Sequence, residues 1–394
     1  MKSEMAPVSA SVGRGSALDG REAVTQAIHN AFKNMDRRDA SLAIIIASHE
    51  YNAQQVLNGA MTQLGDTAIL GFSSSGEIAA DGSKRRSIVV ALIDSDGLMV
   101  NTSWLSGFTN DVQGVTQELA RTLQFSYNED SMVLLVADGL TAEADKLCKT
   151  LPFGRYSLAG CLAGGDLRVG RTYQIGGTQA GSGGVAAAIL SGDGLQIGVG
   201  VAHGWSPVGA YFQVTAADGP WVRELDEYSA AETYSQLFGY QPREWSIPPL
   251  NTLVRLYPLG IENGTNQLQI RAPLRVELDG SFRMGTTVDK ESICHLMVGS
   301  KENCLDAARL ATEKALSQLD GARPVLALVF TDVAWQFLLE GQLSSEVRVI
   351  QDVLGAEVPI AGGYTFGQIA RSESSDLPEF LNQHIEVIIF GEIN

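Results

Sequence analysis

One short frame occurs at three places in the chain: Gly71-Phe72-Ser73-Ser74-Ser75-Gly76-Glu77-Ile78, Gly160-Cys161-Leu162-Ala163-Gly164-Gly165-Asp166-Leu167 and Gly362-Gly363-Tyr364-Thr365-Phe366-Gly367-Gln368-Ile369. Each copy leaves a short apolar run (68–70, 156–159, 358–361) and is followed by a second one (88–93, 185–190, 385–390). The pattern reads as strand, glycine turn, strand. A chain that leaves a buried strand and turns at once needs positive φ or close backbone approach, which glycine alone accepts cheaply. The short acid or amide after the second glycine can accept bonds from the N–H groups of its own turn. Taken singly, such a frame is a structural turn. Its repetition says that the chain is assembled from related units, and turns gathered by pseudo-symmetry often line one cleft.

The elements around each copy repeat in the same order. Asp19 and Glu22 stand as a helix N-cap and its partner before Ala23, Val24, Ala27, Ile28, Ala31, Phe32 and Met35, which recur at helical spacing. Residues 42–47 (LAIIIA) form a continuous apolar run, expected of a strand covered on both faces. A second helical pattern, Ala53 to Leu64, leads into the first turn. The second unit repeats this with a helix through Val112, Val115, Leu119 and Leu123, a strand over 132–137 and a short helix over 141–149. The third has a helix through Leu305, Ala308, Thr312, Ala315 and Leu319, a strand over 325–330 and helical segments as far as Leu354. Between them, residues 208–298 alternate in the manner of strands, with one helix around 229–238 and prolines at 242, 248 and 249.

The expected fold is therefore mixed α/β: two domains built from repeated helix-strand-helix-strand-turn-strand units, with mixed or antiparallel sheets covered by helices. The expected division is a mobile N-terminus over 1–17, an N-terminal domain over 18–205 and a C-terminal domain over 206–394. Strands joined across tight turns imply antiparallel pairs, against a purely parallel sheet.

A chain of 394 residues with 45% hydrophobic and 19% charged content can bury a substantial core. Its formal net charge of −17 repels phosphate backbones and anionic lipid, so nucleic acid and membrane surfaces are not expected partners. Cys148, Cys161, Cys294 and Cys304 form no C-x-x-C pair, which fits a reducing cytoplasm. Residues 1–18 lack the apolar segment of a signal peptide, and no run reaches transmembrane length. A cytoplasmic location is expected.

The G-x-x-x-x-G spacing resembles the start of a P-loop, but Glu77, Asp166 and Gln368 stand where a lysine is needed, and an acid there repels phosphate. Gly164-Gly165-Asp166 opens like a cyclic-dinucleotide synthase signature, which Leu167-Arg168 breaks. Gly71-Phe72-Ser73-Ser74-Ser75 lacks the final glycine of a nucleophile elbow. Cys161 stands at a strand-to-turn junction, where it is either a nucleophile or a small buried side chain. Of the five histidines, His29 falls on the polar face of the first helix. His203 ends the run Ile197-Gly198-Val199-Gly200-Val201-Ala202-His203-Gly204-Trp205, whose alternation gives one face almost entirely to glycine. Such a face leaves room for another backbone, a helix or a flat ligand. Covalent haem attachment is excluded, because C-x-x-C-H is absent; non-covalent haem needs only an axial ligand and an apolar slot.

GFSSSGEI, GVGVAHGWSPVG followed by FQVTAADGPWVRELD, LYPLG, and PIAGGYTFGQI with LNQHIEVIIF together resemble the FIST family, in the order of its N-terminal and C-terminal domains and over nearly the whole chain. The resemblance implies an intracellular sensor of a small ligand in signal transduction. Its stand-alone bacterial members of the NosP type are haem proteins that sense nitric oxide and act on a histidine kinase. On that footing the chain is expected to be non-catalytic, to hold haem through His203, with His384 and His295 as alternatives, and to act on a sensor histidine kinase. The ligand is expected against Ser73, Ser74, Glu77, Cys161, Asp166, Trp205, Tyr364 and Thr365. Two other readings stay open: a haem-free sensor of an amino acid or related metabolite, whose ammonium meets Glu77 or Asp166, and a hydrolase using Cys161 or a serine of the 73–75 run.

Overall fold

The computed structural model describes residues 8–35, 39–126, 131–140, 143–151, 156–167, 170–192, 194–264, 268–340, 344–371 and 377–393. Thr141, expected to open the short helix of the second unit, and Arg168 lie outside the described residues. Three units share one order of elements. The first runs through the strand Ser9–Gly15, the helix Gly20–Lys33, the strand Leu42–Ser48, the helix Ala53–Leu64, the strand Ala68–Ser74, a hairpin of Glu77–Ala79 with Gly82–Lys84, and the closing strand Ile88–Asp94. The second has the strand Met99–Leu105, the helix Val112–Ser126, the strand Met132–Ala137, the helix Ala144–Thr150, the strand Ser157–Leu162, the hairpin Gln174–Gly176 with Gln179–Gly181, and the strand Val185–Ser191. The third opens with the strand Leu195–His203 and resumes, after a long interruption, with the helix Lys301–Ser317 and the strand Arg323–Asp332. It continues through two helices, Val333–Leu338 and Ser345–Leu354, the strand Ile360–Thr365, the hairpin Gln368–Arg371 with Pro378–Leu381, and the strand His384–Glu392.

Each unit builds four strands of a six-stranded sheet and lends its hairpin to a neighbour. The hairpin of the second unit completes the first sheet, that of the third completes the second, and that of the first completes the third. The two central strands of every sheet are parallel and the remaining pairs antiparallel. The inner faces meet in one core: Leu42, Ile44 and Ile46 from the first sheet, Met132, Leu134 and Val136 from the second, Leu326, Leu328 and Phe330 from the third. Full burial of each such side chain is worth about 1.5–3 kcal/mol. The alternate residues, such as Ala43 and Ile45, pack under helices, which is why Leu42–Ser48 is buried along its whole length.

The strand register identifies equivalent residues. Gly71, Gly160 and Gly362 lie opposite Ile45, Leu135 and Val329. One position further on, Phe72, Cys161 and Gly363 face the first residue of the incoming hairpin: Gln174, Gln368 and Glu77. The first and third copies thus follow the sequence frame, and the second departs from it. Its hairpin opens at Gln174, fourteen residues after Gly160 rather than six, so Asp166 belongs to an inserted loop that bridges back to Arg171. Gly-Asp-Leu in the second copy matches the frame by spacing alone.

Two further expectations change. The stretch read as a mobile start supplies, from Ser9 to Gly15, the edge strand of the first sheet. Its small residues are there for contact: a Cβ on Gly13 would stand 2.1 Å from the Ala27 carbonyl oxygen of the covering helix. The interruption of the third unit is an antiparallel sheet running from the strand Trp205–Asp218 to Ile293–Gly299, with its own core around Tyr234, Trp245 and Phe282. The helix Ala230–Phe238 enters through a capping box of Ser229 and Glu232 and ends at Gly239, φ 79°, where a left-handed residue is required. The boundary expected at 205/206 falls where this insert leaves the third sheet.

Candidate functional site

The turns converge. Ser75 N–H donates to the Tyr364 carbonyl (2.9 Å), Tyr364 N–H to that of Gly76 (2.9 Å), Gly164 N–H to that of Ser73 (2.8 Å) and Leu162 N–H to that of Gly367 (2.9 Å). Ser73, Ser74, Cys161, Tyr364 and Thr365 are thereby brought together, as expected of a shared centre, and all are buried. Their polar atoms serve the fold. Ser73 Oγ donates to the Gly164 carbonyl (2.8 Å) and accepts from Tyr173 N–H (2.9 Å). Tyr364 Oη donates to Glu346 (2.5 Å), and Thr365 Oγ1 faces the Thr331 and Gly367 carbonyls. Burial drives the Cys161 thiol well above its ordinary pKa, with Glu386 adding to the shift, so the thiolate a nucleophile needs is disfavoured.

Glu77, Gln174 and Gln368 occupy equivalent positions and do equivalent work. Each reaches the first residue of its unit's closing strand or the one just before it, and Glu77 and Gln368 also bond their own turns at Ser74 and Thr365. Glu77 accepts from Ser87 N–H and Oγ, both at 2.9 Å, and from Ser74 Oγ at 2.7 Å. Gln174 Oε1 accepts from Gly184 N–H at 3.1 Å. The Gln368 amide, oriented to satisfy both ends, donates to the His384 carbonyl (3.0 Å) and accepts from Asp332 N–H (3.1 Å). Burial raises the Glu77 carboxyl to about 7 against these bonds and the nearby Arg14. Enclosed in this way, Glu77 offers no open carboxylate to an ammonium group.

The third unit differs at its turn end. Asp332, the equivalent of Ser48 and Asp138, receives Arg255 from the insert: Nη2 to Oδ2 at 2.9 Å and Nε to Oδ1 at 3.3 Å, both side chains fully buried. Asp332 also accepts from Gln383 N–H and Ala334 N–H, and Gln383 Nε2 donates to the Arg255 carbonyl at 2.7 Å. One residue on, His384 pairs in register with His203, their rings 4.8 Å apart at 68°. His384 Nδ1 lies 2.7 Å from the Asn382 carbonyl and must carry the proton there, leaving Nε2 as a bare acceptor; His203 Nδ1 instead receives Trp205 N–H at 3.3 Å, which puts the proton of its neutral ring on Nε2. Burial lowers both imidazoles, His384 to about 3 with the facing His203 contributing, so the pair is neutral. Glu386 follows on the same face, fully buried, and among the described residues it is held through Gly160 N–H at 3.3 Å, with no partner at Oε1.

The glycine face of the strand Leu195–His203 is not a ligand slot. A Cβ on Gly198 or Gly200 would stand 1.9 Å from the carbonyl oxygens of Ala315 or Ala311, so the helix Lys301–Ser317 fills it. Gly200 is the register equivalent of Gly13, which meets the first unit's helix in the same way. Trp205 Nε1 donates to the Leu256 carbonyl of the insert (3.2 Å). His295 sits in the insert with Nε2 2.7 Å from Glu262. Arg255, Asp332 and Glu386 went unread in the sequence. Glu386 alone carried a signal, as a lone acid inside the apolar run HIEVIIF.

Among the described residues no group of three His, Cys, Asp or Glu side chains is placed to hold a metal ion. No helix among them is long and apolar enough to cross a membrane.

Uncharacterized proteins of Mycobacterium tuberculosis strain H37Rv and of Mycobacterium bovis are each 24% identical to this chain over 91% of it, covering 94% and 93% of their own lengths. Two solved cyanuric acid hydrolases are similar at a distance: one, from A. caulinodans, over 46% of this chain and 71% of its own (12% identity, TM-score 0.23), the other over 98% and 100% (9%, TM-score 0.32). The FIST N domain matches residues 41–228 and the FIST C domain residues 230–371, meeting inside the insert. Spanning most of the chain with both of its domains in order, these matches place the protein in the FIST family.

Proposed function

We propose that this chain carries out the small-ligand sensing of FIST domains in signalling without catalysis, and that it senses at the imidazole pair His203–His384. One observation carries the proposal: the three consecutive residues 382–384 hold both the imidazole and the insert. His384 donates to the Asn382 carbonyl, Asn382 Oδ1 accepts from Ala272 N–H (3.1 Å), and Gln383 grips Arg255 and Asp332. A ligand that shifts the His384 ring therefore pulls on the residues that dock the insert against the third unit, which is the two-state element a sensor needs.

Within that proposal the ligand is haem and the signal nitric oxide. The donor set favours His384 over His203 as the residue that would hold the haem. A ligating histidine usually donates its other N–H to a carbonyl, as His384 does, whereas the Nε2 proton of His203 would make that residue a hydrogen-bond donor to what His384 holds. A macrocycle brings its own equatorial donors, so a single bare imidazole nitrogen would supply the protein donor it needs. Bound haem would supply an iron with a position open to a diatomic gas. The reader of the altered docking would be a sensor histidine kinase.

The test is the Soret absorbance per folded protein after reconstitution with hemin. The unmutated protein and His203→Ala should both show the band, and His384→Ala should lose it, with His295→Ala as the control. A full band in His384→Ala overturns the ligand assignment, and no band in the unmutated protein overturns haem. Thermal shifts across a panel of amino acids then decide for the metabolite sensor.

A further inference from the structure

The seam between the first and third units holds a cavity of about 690 Å³, within the range of small-molecule sites. One wall is the strand Ser9–Gly15, the edge of its sheet. Val8 N–H reaches outward to Glu392 Oε1 (2.9 Å), and the Arg14 carbonyl accepts from Asn30 Nδ2 (2.9 Å). In an antiparallel ladder alternate residues point their backbone groups the same way. Ala10 and Val12 therefore present their N–H and C=O groups along the open edge, between those two tethered ends. Two buried polar atoms on the same strand, Ser11 Oγ and Arg14 Nε, also have no partner among the described residues.

The equivalent seam, between the second and first units, is shut. There the hairpin residues Gly176 and Gly177 lie directly on the edge strand Met99–Leu105. A Cβ on Gly176 would stand 2.5 Å from the Ser103 carbonyl oxygen, and one on Gly177 3.2 Å from Thr102 Oγ1. By register their counterparts in the first unit are Ala79 and Ala80, which line the cavity opposite the edge. Two methyl groups thus stand where two glycines close the other seam.

We propose that this cavity binds an extended, peptide-like ligand of two or three residues, which adds to the edge at Ala10 and Val12 by strand pairing. The geometry points to a peptide because the two free positions lie two residues apart, roughly 6.8 Å along a strand, the repeat of peptide groups facing one way. The charges point the same way. Arg14 is paired with Asp81 (3.0 Å) and Arg323 with Glu392, and Glu357 also lines the wall, so the cavity has no free cationic patch for a simple anion. The site is separate from the imidazole pair and does not depend on what that pair holds.

The probes are N-acetyl-Ala-Ala-Ala-amide and N-acetyl-Ala-Val-Ala-amide, followed by calorimetry and by hydrogen exchange at the Ala10 and Val12 amides of the full chain. Binding should slow exchange at both amides at least tenfold. Val12→Pro removes one outward N–H on an edge strand, where proline is tolerated, and should weaken binding at least tenfold. Should that variant unfold, Ala80→Trp, which fills the cavity from a turn, should abolish binding with the fold intact. Failure of both peptides to bind at millimolar concentration overturns the proposal, as does binding indifferent to both substitutions or without protection of the two amides.

Discussion

The first and third units are the same frame used in two ways. Where the first has Ser48, Ser87 and Val89, the third has, at register-equivalent positions, Asp332, His384 and Glu386. In the first set the Ser48 and Ser87 hydroxyls bond within their own unit, to Glu50 N–H, Glu77 and Arg14, and Val89 packs in the shared core. The second meets a guanidinium from another layer, a partner imidazole and an unpaired buried oxygen. A position that tolerates serine or valine has no structural need of an acid or an imidazole. The difference therefore separates what the frame requires from what was added to it.

The contact that should not distinguish the units is the glycine under the helix, and it carries the largest expected effect. Gly13→Val and Gly200→Val should each cost about 3 kcal/mol or more, because the new Cβ meets helix backbone that cannot yield locally. Urea melts of the two variants check this, and a mild effect at Gly200 would reopen the slot that the helix fills. Next, Arg255→Met should cost about 3–5 kcal/mol by stranding Asp332, while Ser48→Ala should cost about 1 kcal/mol or less. The double variant Arg255→Met/Asp332→Leu should recover much of the loss, and equal losses in the single and double variants would show that the ion pair is not the cause.

Glu77 gives a pH-dependent case. Its carboxyl titrates near 7 when folded against an ordinary 4.5, so between those values the native state binds the extra proton and stability falls as pH rises. The contribution is whole below 4.5 and gone above 7. Glu77→Gln, which installs the residue already present at 174 and 368, should flatten that slope and raise stability at pH 8 by on the order of 2 kcal/mol, with little change at pH 4.5. Identical melting-temperature profiles against pH for the two proteins would contradict it. Smallest, Glu386→Val, which copies Val89, should gain about 1 kcal/mol by removing a buried carboxyl at the expense of one weak bond from Gly160. A loss in the same melt would mean that Glu386 has a partner the fold depends on.

The repeated unit was legible because glycine spacing and apolar runs record strand ends directly, as Gly71 and Gly362 show. The same spacing misled at Asp166, since a loop of eight extra residues can imitate a frame that resumes at Gln174. The glycines beside His203 announced close approach correctly, but glycine records only that something is near, and here it is Ala311 and Ala315. Arg255 could not be paired with Asp332 from the sequence, because 77 residues and a change of layer lie between them. The haem expectation drew on the family and on His203; the tautomers that turn attention to His384 depend on the Asn382 carbonyl and the Trp205 amide, which only three dimensions bring into reach.

The exchange of hairpins makes the chain a closed ring of loans, with each sheet completed by a different part of the sequence. A ribosome releasing the first unit delivers a sheet that must wait for residues 174–181, and the third sheet needs residues 77–84, made long before it. No unit can be finished alone, so partly synthesised chains carry unpaired sheet edges that invite association with other chains. Cutting between units should therefore yield aggregates rather than domains. Val8 and Glu392 lie within one hydrogen bond of each other, so a chain joined there and opened elsewhere should keep the ring intact.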